Sequence, residues 1–130
     1  MAIHVRYLSQ VIVRMEFEGN YDAKMEKELD RCLKEQIENA KKPLFYLIDV
    51  TSYGNEGEEI ANIIADKLAE QGKIIINIAF LFKKKKKIRN KEIKNKIQIF
   101  NNDFQAQSWI SNQSRFGFLD EISLESLVER

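Results

Sequence analysis

The chain is poor in two residues on which many small proteins depend, with one cysteine, Cys32, and one histidine, His4, among 130 residues. A single cysteine excludes an intramolecular disulfide. One cysteine and one histidine are also too few for a zinc site built from several cysteines or histidines. We therefore expect neither a metal nor a cofactor. The low cysteine content is compatible with a reducing compartment, and we predict a cytoplasmic protein.

Long apolar runs are also missing. No stretch reaches the roughly 20 apolar residues that are needed to cross a bilayer. The first residues are interrupted by Arg6, Arg14 and Glu16, so they lack the apolar core of a signal peptide. Glycine and proline are scarce too, with five and one, and 44% of the residues are hydrophobic, which excludes the disordered classes. We predict one folded domain over residues 1–130 without a transmembrane segment.

Two apolar runs without alternation stand out against this background. They are Pro43 to Ser52, PLFYLIDVTS, and Ile74 to Phe82, IIINIAFLF. A strand with one exposed face alternates apolar and polar residues, whereas a strand between two helix layers does not need to. The two runs therefore predict parallel strands, side by side and covered on both faces.

Shorter patterns predict the elements around these strands. Two strands, Ile3–Leu8 and Val11–Glu18, come first, and the second alternates cleanly, so we expect it to be partly exposed, at or near a sheet edge. The other predicted elements are a helix over Ala23–Lys41 capped by Asp22, a helix over Glu58–Gln71 ended by Gly72, a helical portion over Ile88–Lys96, a strand over Ile97–Phe100, a helix over Asp103–Gln113 that Asn101 and Asn102 can cap, and a tail over 114–130.

The order of these elements indicates an α/β fold, because strands alternate with helices at the spacing of crossover units. In the helix over Asp103–Gln113, the inward candidates are Phe104, Ala106, Trp109 and Ile110. In the tail, a short amphipathic helix is predicted around Ile122, Leu124, Leu127 and Val128. Cys32 lies on an apolar stripe, and we expect it to be a small buried hydrophobe.

Three segments carry a resemblance to a known family. They are FEGNYD at Phe17 to Asp22, KPLFYLIDVTS at Lys42 to Ser52 and IFNNDFQAQSWI at Ile99 to Ile110. In this order and at this spacing, they resemble the STAS superfamily, the sulphate-transporter and anti-sigma-factor-antagonist domains, and especially the small stand-alone bacterial members. The resemblance implies a mixed, mostly parallel sheet of four to five strands flanked by helices. It also implies a non-catalytic role in regulation through protein-protein contacts.

In anti-sigma antagonists, a kinase phosphorylates a serine in an Asp-Ser-Ser-Gly-like turn that opens the helix after the central strand. The corresponding stretch here is DVTSYGNEGEE, which has no serine before a glycine at the helix start, so this motif is not intact. The nearest hydroxyls, and so the phosphorylation candidates, are Ser52 and Thr51. A phosphate on either would meet the like charges of Glu56, Glu58 and Glu59.

The loop after the central strand is the predicted site, because ligands of open α/β sheets bind beyond the carboxyl ends of strands. The residues that we predict to contact a partner are Asp49, Thr51, Ser52, Tyr53, Glu56 and Glu58. The alternative is that Asp49 and the hydroxyls only satisfy backbone groups of the turn, as these residue types commonly do.

Charge is distributed unevenly along the chain. Between Lys83 and Lys96, nine basic residues against Glu92 give a local charge of +8, so the rest of the chain carries −7. The basic patch that we define at its start consists of Lys83, Lys84, Lys85, Lys86, Lys87 and Arg89. It is either solvated surface, a contact for an acidic protein, or a peripheral contact with an anionic membrane. Nucleic acid is disfavoured, because no aromatic side chain lies among the cations to stack on bases.

These observations lead to two functional hypotheses. The first is a regulatory module of the STAS type that docks on an unknown protein partner. The second is a binding protein for a small apolar or lipid-like ligand, with the helix over Ile122 to Val128 as its lid. An enzyme is disfavoured, because no local motif assembles an acid, a base and a nucleophile.

Overall fold

The computed structural model describes residues 2–117 and shows a five-stranded mixed sheet flanked by helices. The strands are β1 (Ala2–Tyr7), β2 (Ile12–Glu18), β3 (Leu44–Asp49), β4 (Ile75–Leu81) and β5 (Ile97–Phe100). The helices are α1 (Ala23–Asn39), α2 (Gly57–Ala69) and α3 (Asp103–Asn112). Shorter helical turns lie at Thr51–Glu56, Gly72–Ile74, Lys94–Lys96 and Gln113–Gly117.

The strands lie in the order β1-β2-β3-β4-β5. The hairpin of β1 and β2 is antiparallel, and the other three pairings are parallel. The two unbroken apolar runs form β3 and β4, which pair directly with each other. The α/β class and the mostly parallel mixed sheet are therefore confirmed.

Both faces of the sheet are covered by helices. On one face, α1 and α2 pack over β2, β3 and β4, with Met25, Leu29 and Ile64 among the buried contacts. On the other face, Ala106 and Ile110 of α3 pack against the sheet. Each large apolar side chain buried in these layers contributes about 2 to 3 kcal/mol through removal from water.

The predicted caps agree with the structure. The Asp22 side chain accepts a hydrogen bond from the Met25 amide at the start of α1, at 2.9 Å. The Asn102 side chain accepts one from the Gln105 amide at the start of α3, at 3.0 Å. Both satisfy an amide that the first helical turn leaves free.

Three expectations from the sequence are wrong. Strand β2 is not half-exposed, because α3 covers Ile12 and a cluster of carboxylates surrounds Arg14, whose exposed fraction is only 3%. Phe104 points outward and is 79% exposed, because it lies on the side of α3 opposite Ala106 and Ile110.

The predicted helical portion over Ile88–Lys96 is absent, apart from the turn at Lys94–Lys96. Backbone groups of Lys87 and Arg89 bond to the side chain of Asn62 on α2 instead of forming a helical ladder. The tail helix predicted around Ile122 to Val128 lies outside the described residues.

Candidate functional site

The predicted site lies where β3 ends and the chain turns towards α2. Asp49 is the last residue of β3, and its Oδ1 accepts hydrogen bonds from the Thr51 amide at 2.9 Å and the Thr51 hydroxyl at 2.6 Å. The helical turn Thr51–Glu56, which we call the rim loop, begins there. Gly54 has φ of +58°, a conformation that favours glycine, and the chain kinks at this residue between two helical turns.

Ser52 and Tyr53 attach the rim loop to the rest of the fold. The hydroxyl of the exposed Ser52 donates a hydrogen bond to the Phe17 carbonyl near the end of β2. Tyr53 is half-buried against the core. Its hydroxyl is buried without a hydrogen-bond partner among residues 2–117, and burial raises its pKa. The loop is therefore held at both Asp49 and Phe17.

An open cleft of about 480 Å³ separates the rim loop from the connection between β2 and α1. The residues that line this cleft are Gly19, Asn20, Ser52, Tyr53, Asn55 and Glu56. Of the predicted partner-binding residues, Ser52, Tyr53 and Glu56 are thus brought together here. Asp49 and Thr51 do not line the cleft, and Glu58 contacts Arg89, with 3.6 Å between Oε1 and Nη1.

The surroundings of the two phosphorylation candidates do not include an evident phosphate-binding group. The residues that line the cleft carry no positive charge, and Glu56 is exposed beside Ser52. The Thr51 hydroxyl is engaged with the Asp49 carboxylate. Esterification of Ser52 would remove the proton that it donates to the Phe17 carbonyl. Modification of either residue stays a prediction.

Sequence reasoning missed a charged cluster behind the rim loop, which we call the arginine cluster and define as Arg14, Glu16, Asp49 and Asp103. The guanidinium of Arg14 donates to Glu16 Oε1 at 2.7 Å, to Asp49 Oδ2 at 2.8 Å and to Asp103 Oδ1 at 2.7 Å. These carboxylates come from β2, from the end of β3 and from the first turn of α3. One side chain therefore joins two strands to the helix on that face.

The contacts of the arginine cluster shift the pKa values of Arg14 and Asp103. Burial lowers the pKa of Arg14, but its hydrogen bonds to Asp103 and Glu16 outweigh that effect and raise the pKa overall. The hydrogen bond from Arg14 is the main cause that lowers the pKa of Asp103. Arg14 and Asp103 are therefore both charged at neutral pH. The one signal in the sequence was an arginine on a strand face that begins with Ile12.

The stretch Lys83–Lys96, which we call the lysine segment, connects β4 to β5 along the side of α2. Asn62, a buried α2 side chain, donates to the Lys87 carbonyl at 3.0 Å and accepts from the Arg89 amide at 2.7 Å. Asn90 donates to Asp66 of α2 at 2.8 Å. Ile93 is buried, and Ile88 packs against the core. The segment is therefore attached to the fold although it has little regular structure.

The basic patch at the start of the lysine segment is mostly exposed. Within residues 2–117, Lys83 to Lys87 form no salt bridge, and Arg89 pairs with Glu58. The patch begins at the carboxyl end of β4, and the rim loop follows the carboxyl end of the neighbouring β3. An acidic loop and a basic segment thus follow adjacent strands at the same end of the sheet.

No protein-family model, no curated protein and no solved structure matches the chain significantly. Among residues 2–117, no helix is long and apolar enough to cross a membrane. The same residues contain no group of three or more histidine, cysteine, aspartate or glutamate side chains placed to hold a metal ion.

Proposed function

We propose that the protein is a non-catalytic, cytoplasmic regulatory module of the STAS type that binds a protein partner through the rim loop. The support is the preorganised geometry of this loop. Hydrogen bonds to Asp49 and Phe17 hold it, while Ser52, Asn55 and Glu56 stay exposed beside an open cleft. A loop that is already ordered loses less conformational entropy when a partner binds, so more of the contact energy appears as affinity.

The chemistry of the rim loop indicates what the partner offers. Glu56 of the rim loop and Glu59 in the first turn of α2 are exposed acids, and Asn55 adds an exposed amide. A partner surface with arginine or lysine side chains would complement these groups and would associate faster at low salt. Tyr53 contributes by holding the loop against the core, since its ring packs inward.

The proposal can be tested by retaining partners from the native host on immobilised protein. Glu56→Lys reverses the charge of the rim loop, and Glu70→Lys is a matched control at the other end of α2, where the side chain is also exposed. We expect the first variant to lose proteins that the wild type and the control retain. Identical sets for all three proteins, or no retained protein at all, would contradict the proposal. Thermal unfolding checks that both variants fold.

The alternative, a small apolar or lipid-like ligand, stays a prediction. Its supposed lid over Ile122 to Val128 lies outside the described residues. The cleft beside the rim loop is open and polar, which suits a protein surface better than an apolar ligand.

A further inference from the structure

Strand β5 is the last strand of the sheet. Among residues 2–117, no strand pairs with its outer edge. The Phe100 carbonyl accepts a hydrogen bond from the Phe82 amide, 2.9 Å away, so the backbone groups of Phe100 point towards β4. Backbone groups of successive residues in a strand point to opposite edges. The amides and carbonyls of Ile97 and Ile99 therefore face outward, away from β4.

A shallow groove of about 580 Å³ runs between this edge and the lysine segment. Ile88, Ile97 and Ile99 form its apolar part, and all three are half-buried against the core. Lys87, Lys94 and Gln98 complete its lining. An extended peptide beside β5 would place every second side chain on the face that carries the isoleucines and the lysine segment, and the others on the face of α3.

The groove lies beside an excess of positive charge that nothing in residues 2–117 neutralises. Lys87, Lys91 and Lys94 form no salt bridge among these residues. Asn62 and Asn90 hold the segment in place, so its cations are already positioned. Charge complementarity therefore favours an acidic ligand.

We propose that the outer edge of β5 pairs with an extended peptide of a partner protein that presents both apolar and acidic side chains on the face of the isoleucines and the lysine segment. Edge pairing supplies backbone hydrogen bonds, the isoleucines accept apolar side chains and the lysines select acidic ones. The lysines also repel the same edge of a second copy, which disfavours self-pairing. This surface is separate from the rim loop, so the two proposals stand or fall independently.

The test uses a short fluorescent peptide in which every second position carries valine and glutamate in turn, with binding to the full chain measured by fluorescence polarisation. Lys87→Glu combined with Lys94→Glu should weaken binding at least tenfold. The matched control is Lys41→Glu with Lys73→Glu, two exposed lysines outside the lysine segment, and it should keep the affinity. No binding by the wild type, or equal losses in the two double variants, would overturn the proposal.

Backbone pairing is separated from charge by N-methylation of the peptide on alternate residues. One phase of methylation blocks the edge that faces β5 and should abolish binding, whereas the other phase should leave binding intact. Slower hydrogen exchange of the Ile97 and Ile99 amides would locate the peptide. Equal binding of both methylated peptides would refute edge pairing. If residues 118–130 of the chain itself occupied the edge of β5, Leu124→Lys would weaken that contact and raise the affinity for the added peptide. That result would overturn the assignment of the edge to a partner protein.

Discussion

Replacement of Arg14 by methionine tests whether the arginine cluster stabilises the fold. Methionine keeps much of the buried length of the side chain and removes the guanidinium that Glu16, Asp49 and Asp103 share. Asp49 is 13% exposed at its side chain, so it would remain as a largely buried carboxylate without its cation. The other two acids are 40% and 50% exposed and can recover hydration.

The expected magnitude follows from that difference in exposure. Loss of one partner of a buried pair costs about 3 to 5 kcal/mol, whereas an exposed pair contributes about 0 to 1 kcal/mol. Because only the contact with Asp49 is well buried, we expect Arg14→Met to lower the free energy of unfolding by about 3 kcal/mol. With an m value of about 2 kcal/mol per molar urea, the unfolding midpoint falls by about 1.5 M.

Urea unfolding followed by circular dichroism measures this shift. Arg31→Met is the matched control, because Arg31 also contacts two glutamates, Glu28 and Glu35, but lies on the exposed side of α1. We expect its midpoint to stay close to that of the wild type. Equal midpoints of Arg14→Met and wild type would refute the reasoning, as would an equally large shift in the Arg31 variant.

The loss in free energy of unfolding caused by Arg14→Met should also depend on pH. In the wild type, the lowered pKa of Asp103 contributes stability above about pH 4 that is lost as the pH falls through the lowered value. This effect makes the difference between the proteins shrink as the pH falls below about 4. A difference that grows on acidification would show that the cluster is not its source.

Two further predictions concern buried groups. Asn62→Leu leaves the Lys87 carbonyl and the Arg89 amide without their partner, so we expect a loss of about 2 kcal/mol and faster hydrogen exchange around residue 89. Asn77→Leu, which removes a single bond of 3.3 Å, is its control, and an equal loss in both would contradict the assigned role. Burial raises the pKa of the Cys32 thiol, so thiolate is scarce at pH 8. Iodoacetamide should label the native protein at least about tenfold more slowly than the protein in urea; equal rates measured by mass spectrometry would show that the thiol is not protected.

The parts of the fold that local patterns determine could be predicted. The unbroken apolar runs identified β3 and β4, because a strand covered on both faces has no exposed side to alternate with. Asp22 and Asn102 identified two helix starts, since a cap acts on amides only a few residues away. The position of the rim loop followed from the end of β3.

The parts that depend on distant contacts could not be predicted. Arg14 is separated from Asp49 by 35 positions and from Asp103 by 89, so its burial is visible only after the sheet is assembled. The route of the lysine segment depends on Asn62, which lies 25 positions before Lys87. The outward orientation of Phe104, in contrast, could have been predicted from the sequence. A helix advances about 100° per residue, which places Phe104 about 200° from Ala106. Phe104 is hydrophobic, but its position around the helix axis, and not its hydrophobicity, determines that it faces solvent.

The two carboxylate oxygens of Asp49 connect the arginine cluster to the rim loop. Oδ2 accepts from Arg14, which also holds Asp103 at the start of α3, while Oδ1 accepts from the amide and hydroxyl of Thr51. A carboxylate is planar, so a rotation that optimises one of these contacts moves the other oxygen as well. We therefore expect the conformation of the rim loop to be coupled to the position of α3 on the sheet, on the opposite side of the arginine cluster. A partner that displaced Thr51 would also weaken the attachment of α3 to the sheet.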